Sequence, residues 1–154
     1  MATALNVYTD GGCSGNPGPG AWAYVMVLST FQGERKVLEE KRAEKYTTNN
    51  RMELHAVIAA LRALKASDTL PRQATVYTDS QYVQKGITEW IQLWKRNSWF
   101  TSERRPVKNQ DLWKELDALT GELALQWKWV KGHAGNTWNE RCDHMVQEAL
   151  AALR

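Results

Sequence analysis

Leu5, Val7 and Thr9 alternate with Asn6, Tyr8 and Asp10, so residues 4–12 are expected to form a strand with two unlike faces. Gly11-Gly12 and the run Gly15-Asn16-Pro17-Gly18-Pro19-Gly20 supply the turn that follows. Residues 21–29 read as a second strand, and residues 34–43 as a weaker third, at an edge, after a turn at Gln32-Gly33. Strands joined by short turns imply an antiparallel meander. The period then changes. Leu54, Val57, Ile58, Leu61 and Leu64 fall on one helical face, and Thr47-Thr48-Asn49-Asn50 offers cap residues before them. A helix over 50–66 follows, with Pro71 in its exit loop. Thr75 to Thr78 is a short strand, and the intervening helix requires a parallel crossover. Residues 80–95 read as helical with a break near Gly86, and residues 97–108 as irregular and basic. Residues 109–120 form a further helix carrying Leu112, Leu116 and Leu119, and Leu123 to Val130 a strand. The last helix starts at Asn136 or Thr137, with Thr137 and Glu140 spaced as a capping box and a stripe of Cys142, Val146, Ala149, Leu150 and Leu153. The order β-β-β-α-β-α-α-α-β-α describes an α/β sandwich: a mixed five-stranded sheet, three strands antiparallel and two parallel, with helices on both faces.

No linker or low-complexity segment divides the 154 residues, so one domain is expected. Apolar residues at 43% and charged residues at 24% are ordinary for a soluble protein. The longest apolar run, Ala21 to Leu28, is too short to span a bilayer as a helix, and the first residues lack a signal-peptide pattern. A cytoplasmic monomer is expected, with no membrane partner. Cys13 and Cys142 lie far apart and fit reduced thiols rather than a zinc site. The net charge of +3 is too small to indicate a nucleic-acid partner by itself. Its distribution says more. Lys85, Lys95, Arg96, Arg104, Arg105 and Lys108 are interleaved with Trp90, Trp94 and Trp99, and Glu89 and Glu103 only partly offset them. Trp90 and Trp94, one helical turn apart, suit a buried stripe, which leaves Trp99 as the candidate contact to nucleic acid. Trp22, Trp113, Trp127 and Trp129 read as structural.

Val7-Tyr8-Thr9-Asp10 and Val76-Tyr77-Thr78-Asp79 are the same tetrapeptide, each at the end of a strand. If these strands are parallel neighbours, both carboxylates emerge at the carboxyl end of the sheet, where open α/β sheets bind ligands. Like charges placed together repel, and a hard cation relieves that repulsion. A turn former or helix cap would also explain either Asp alone. Glu53 in the first helical turn has its own ordinary explanation, a capping box with Asn50. The Thr47–Asn50 run nonetheless holds more hydrogen-bonding side chains than one cap uses, and a phosphate at the helix start would use them. Asp143 borders the apolar stripe of the last helix. His133, flanked by Gly132 and Gly135, rides on a loop of small residues and becomes a proton carrier if a carboxylate cluster lies beside it.

Five segments in order, Tyr8–Gly11 with Gly15–Gly20, Thr47–Leu54, Thr78–Val83, Val130–Gly135 and Asn139–Asp143, resemble bacterial ribonuclease HI, the type 1 ribonuclease H family. The resemblance runs from about Leu5 to Leu150. It implies a ribonuclease H-like fold and hydrolysis of the RNA strand of an RNA–DNA hybrid, leaving 5′-phosphate and 3′-hydroxyl ends. It implies that Asp10, Glu53, Asp79 and Asp143 bind two Mg²⁺ ions, ~4 Å apart in such sites, with Mn²⁺ a possible substitute. It implies that His133 is a mobile auxiliary catalyst, and that Asn16, Thr48, Asn49 and Gln81 lie in the substrate groove. Cys13 and Asn50 are grouped with them, because residues 10–16 and 47–53 are placed to meet the 2′-hydroxyls that mark RNA. The basic segment becomes a handle for the DNA strand, through Trp99, Arg104 and Arg105. A hybrid-binding module without catalysis, or a DNA-processing relative, would share the fold; a binder has no need to cluster four carboxylates.

If the basic segment grips phosphates, neutralising Arg104 and Arg105 raises KM and lowers the log–log salt slope by ~1 per lost contact. Steady-state kinetics across a salt series measures it, and an unchanged slope removes the handle.

Overall fold

The computed structural model describes residues 3–131 and 137–153. Strands β1 (Ala4–Cys13), β2 (Gly18–Thr30) and β3 (Gly33–Thr47) form the antiparallel meander; after helix α1 (Asn49–Ala66) come β4 (Gln73–Thr78) and later β5 (Ala124–Trp129). The sheet order is β3-β2-β1-β4-β5, with β1, β4 and β5 parallel to one another. Between β4 and β5 lie α2 (Gln81–Lys85), α3 (Ile91–Arg96) and α4 (Gln110–Thr120), and α5 (Thr137–Ala151) follows β5. Element types and order match the sequence pattern. Boundaries shift where pairing overrides local signals. β3 runs to Thr47 because β2 offers it a full-length partner, and β1 runs through Gly11-Gly12 to Cys13 because those residues pair with Trp22 to Gly20. The turn therefore falls at residues 14–17, not at Gly11-Gly12.

Strand alternation sorts the core into two layers. Leu5, Val7, Trp22, Tyr24 and Met26 point to one face and pack under α1 and α4. Tyr8, Ala21, Ala23, Val25 and Val27 point to the other and pack under Cys142, Met145, Val146 and Ala149 of α5. The expected stripe of α1 is buried along its length. Leu153 is instead 37% exposed, because α5 ends before it.

The expected break near Gly86 is a widened turn. Through Gly86–Trp90 the helix takes one extra residue, and the Ile91 amide donates back to the Gly86 carbonyl. The fully buried Trp113 of α4 presses on this point, and a methyl on Gly86 would overlap its ring. Trp113 belongs to an aromatic cluster: Trp90, Trp94 and Tyr82 lie around it, and Trp99 packs on Trp94 at 6.3 Å.

Gly86→Ala opposes two effects. Alanine favours a helix by about 1 kcal/mol, whereas overpacking a close contact costs ~1–3 kcal/mol. The overlap is with the ring of the fully buried Trp113, so a net loss of stability is expected, read as a lower Tm in thermal unfolding. A raised Tm would show that Trp113 moves aside freely.

Candidate active site

In the β1–β4 ladder Val7 lies opposite Val76 and Tyr8 opposite Tyr77, so the repeated tetrapeptide is in register with itself. The Tyr8 and Tyr77 rings stack 4.7 Å apart, and the Thr9 hydroxyl donates to the Tyr77 carbonyl at 3.1 Å. Beyond this point the strands part. β1 continues beside β2, whereas β4 stops at Thr78. Asp10 and Asp79 stand at this opening, at the carboxyl end of the parallel strands.

Glu53 reaches them from α1. The first turn of that helix lies on Gly11, where any side chain would overlap the Met52 and Glu53 backbone. The Gly11 amide hydrogen-bonds the carboxylates of both Asp10 and Glu53. Oxygens of Asp10, Glu53 and Asp79 all lie within 4.8 Å of one another. Asp143 of α5 completes the group from the opposite face, within hydrogen-bonding reach of Asp10. The capping alternatives do not hold. The Thr48 hydroxyl caps α1 by accepting the Arg51 amide, and the Ser80 hydroxyl caps α2 by accepting the Val83 amide.

Burial, then the charges of Asp79 and Asp143, pushes the Asp10 carboxyl up to about 8, and the Gly11 amide only partly opposes this. Burial with the charges of Asp10 and Asp79 holds Glu53 well above the usual carboxylate range. Among the described residues, no hydrogen-bond donor meets the buried Glu53 Oε1. Among the described residues lining the crevice, about 390 Å³ in volume, none is cationic. Crowded hard oxygens of this kind suit a divalent cation.

Asn49, Asn50 and Gln81 line the same crevice. Three other predicted residues stand behind its rim. The Asn16 side-chain oxygen accepts the Asn49 amide at 3.0 Å, Thr48 caps α1, and the Cys13 thiol donates to the carbonyls of Gly18 and Thr47. Arg104 and Arg105 are exposed on the loop after α3 and do not line the crevice. Trp99 is half-buried against Trp94, with the Lys114 ammonium over its ring. His133 lies outside the described residues. Sequence reading missed Gly11, Tyr82 and Gln147 as crevice lining, and the Trp129 indole, which donates to the Asp79 carbonyl at 3.2 Å. For Gly11 a signal existed, since glycine inside a strand marks close backbone approach.

Fold and site together define a metal-dependent enzyme of phosphodiester chemistry. The RNase H family model matches residues 2–151. The ribonuclease H of Treponema denticola is 50% identical over 97% of this chain and 98% of its own length. That of Methylobacillus flagellatus is 52% identical over 97% and 93%. Among solved structures, LC9-RNase H1, a type 1 RNase H with the type 2 active-site motif, superposes with a TM-score of 0.83 at 31% identity, over 100% of this chain and 75% of that one. The chain belongs to the RNase H family. It is a metal-dependent endoribonuclease that cleaves the RNA strand of RNA–DNA hybrids.

Folding raises the Asp10 pKa from its ordinary value near 3.8 to about 8. The metal-free fold thus keeps a proton that the unfolded chain releases, and this group's contribution makes the fold less stable as pH rises through that window. Asp10→Asn removes the ionisation. In chelator at pH 8 the variant should exceed the parent by ~1–3 kcal/mol, at about 2–4 °C of Tm per kcal/mol, and the gap should close towards pH 4. Added Mg²⁺ should raise the parent's Tm more than the variant's. Equal metal-free stability at pH 8 would mean that Asp10 is not held protonated.

Proposed function

We propose that Asp10, Glu53, Asp79 and Asp143 hold two Mg²⁺ ions when the hybrid is bound, with Mn²⁺ able to substitute, and that cleavage leaves 5′-phosphate and 3′-hydroxyl ends. The observation that carries this reading is the convergence of three carboxylate oxygens within 4.8 Å, with Asp143 beside Asp10. Divalent cations there supply an activated water and neutralise charge on the scissile phosphate.

The chain's own residues do the remaining work. Asp10 interacts with Glu53, Asp79 and Asp143, so it would hold the cations together with each of the other three carboxylates. The Gly11 amide keeps Asp10 and Glu53 aimed into the crevice. Asn49, Asn50 and Gln81 meet sugar hydroxyls and phosphate along the rim, where a 2′-hydroxyl separates RNA from DNA. Cys13, Asn16 and Thr48 fix the loop and helix start that present Asn49 and Asn50. His133 moves a proton or assists product release. Arg104, Arg105 and Trp99 grip the DNA strand. The chain acts as a single catalytic domain, a monomer, in the cytoplasm; the four carboxylates of the crevice all come from one copy.

Asp10→Asn should keep affinity for hybrid and lose cleavage. Losing metal stabilisation worth several kcal/mol lowers kcat by ~10³-fold or more. The assay compares RNA–DNA hybrid, duplex DNA and duplex RNA, each with and without Mg²⁺. Normal turnover by the variant would refute the carboxylate assignment, and parental cleavage of duplex RNA would refute the selectivity.

A further inference from the structure

Asp10 and Asp79 close identical tetrapeptides, yet their main chains are held differently. Asp10 sits inside a ladder, opposite Ala23 of β2, and the sheet fixes its backbone. Asp79 lies one residue beyond the end of β4. The β4–β5 ladder closes with Thr78 opposite Trp129, and the last main-chain bond runs from the Val130 amide to the Thr78 carbonyl at 2.8 Å. The Asp79 carbonyl projects past that bond. It accepts the indole N–H of Trp129 at 3.2 Å. On the other side of Asp79, the Ser80 amide donates to the Thr78 hydroxyl at 3.0 Å and the Ser80 hydroxyl caps α2.

We infer that Trp129 is a positioning residue for the active site: its indole N–H holds the main chain of Asp79 and so keeps the Asp79 carboxylate turned towards Asp10 and Glu53. The inference rests on the carboxylate reading of the preceding subsection. The Asp79 carboxylate stays within 4.8 Å of Asp10 and Glu53 only while its peptide keeps this orientation, and rotation of the peptide would carry it out of the group. That peptide lies just past Thr78, the last residue of the β4–β5 ladder. The indole bond opposes the rotation by tying the Asp79 carbonyl to the rigid end of β5. The exposure of Trp129 agrees. At 38% it is the most exposed tryptophan of the chain: Trp113 and Trp22 are buried, at 0% and 5%, and the other five are half-buried. Core packing alone does not account for a tryptophan on this rim.

Two variants test the inference. Trp129→Phe keeps an aromatic ring and removes the N–H. Trp129→His restores an N–H at similar reach. Three quantities are measured on each full-length protein: metal-free Tm, Mg²⁺ affinity by calorimetry, and kcat and KM on a hybrid. Partners that orient metal-binding side chains are worth ~10–100-fold in metal affinity or activity. Trp129→Phe is therefore expected to lower Mg²⁺ affinity and kcat by such a factor, with KM for hybrid and metal-free Tm near the parent's. Trp129→His is expected to recover part of both. Parental Mg²⁺ affinity and kcat in Trp129→Phe would overturn the inference. So would a raised KM with unchanged kcat, which would make Trp129 a substrate contact, and so would a histidine variant as impaired as phenylalanine. If Trp129→Phe does not fold, the histidine variant decides alone: Mg²⁺ affinity near the parent's supports the role, and affinity lowered about 10–100-fold overturns it. A parent that neither takes up Mg²⁺ nor cleaves hybrid in its presence would sink the carboxylate reading instead, so the two failures are distinguishable.

Discussion

The structure is organised around an unfavourable contact: three carboxylates whose oxygens crowd within 4.8 Å, two of them on buried residues. Left to themselves, such groups separate or take up protons. They stay together because each is carried by an element whose position is fixed elsewhere. β1 is bound on both sides, by β2 and β4. α1 is clamped by its buried stripe and by the bare backbone of Gly11. The core thus supplies the work that holds the charges in place, and a single burial of Leu, Ile, Phe or Val contributes about 1.5–3 kcal/mol to such work.

Asp143 depends on a different anchor. α5 lies on the opposite face and is held to the edge of the sheet by polar contacts as well as by its core layer. Arg141 pairs with Glu39 through two nitrogens, at 3.0 and 3.4 Å. Lys41 reaches Glu148 at 3.2 Å, and the Trp138 indole donates to Glu34 at 3.2 Å. β3, mostly exposed and remote from the crevice, therefore sets where α5 sits and with it the fourth carboxylate. Exposed ion pairs each contribute little to stability, but four contacts from one strand to one helix restrict its rotation about its own axis.

The hydrophobic pattern sufficed for the element order and for helices on both faces of the sheet, because these rest on local periodicity; the parallel β1–β4 pairing of Val7 with Val76 was only a condition of the carboxylate reading, and the structure meets it. The candidate carboxylates were legible for a related reason. The repeated tetrapeptide puts two Asp residues at equivalent strand positions, and Glu53 opens an amphipathic helix. Other features depend on contacts remote in sequence. Gly11-Gly12 looks like a turn until β2 is seen to pair with it. Gly86 looks like a helix break until Trp113 is seen to lie on it. The bond from Trp129 to Asp79 joins residues 50 apart and leaves no periodic trace. Trp99, read as exposed to nucleic acid, is half-buried because Trp94 and Lys114 flank it.

Among the described residues, Arg51 is kept out of the crevice by being used elsewhere. Arg51 stands two residues before Glu53, yet its guanidinium turns away, pairing with Asp111 at 2.9 Å and donating to Asn109 at 3.2 Å. Asn109 in turn donates to the Tyr82 hydroxyl, which also accepts the Trp113 indole N–H. This network ties the base of the basic loop to a wall of the crevice while keeping positive charge outside it. A guanidinium inside would neutralise the carboxylates permanently and would hold the phosphate product after cleavage. Charge supplied by an exchangeable ion does the same neutralisation and then leaves. The segregation of fixed acid in the crevice from fixed base on the loop follows from the need to bind a polyanion firmly and release it cut.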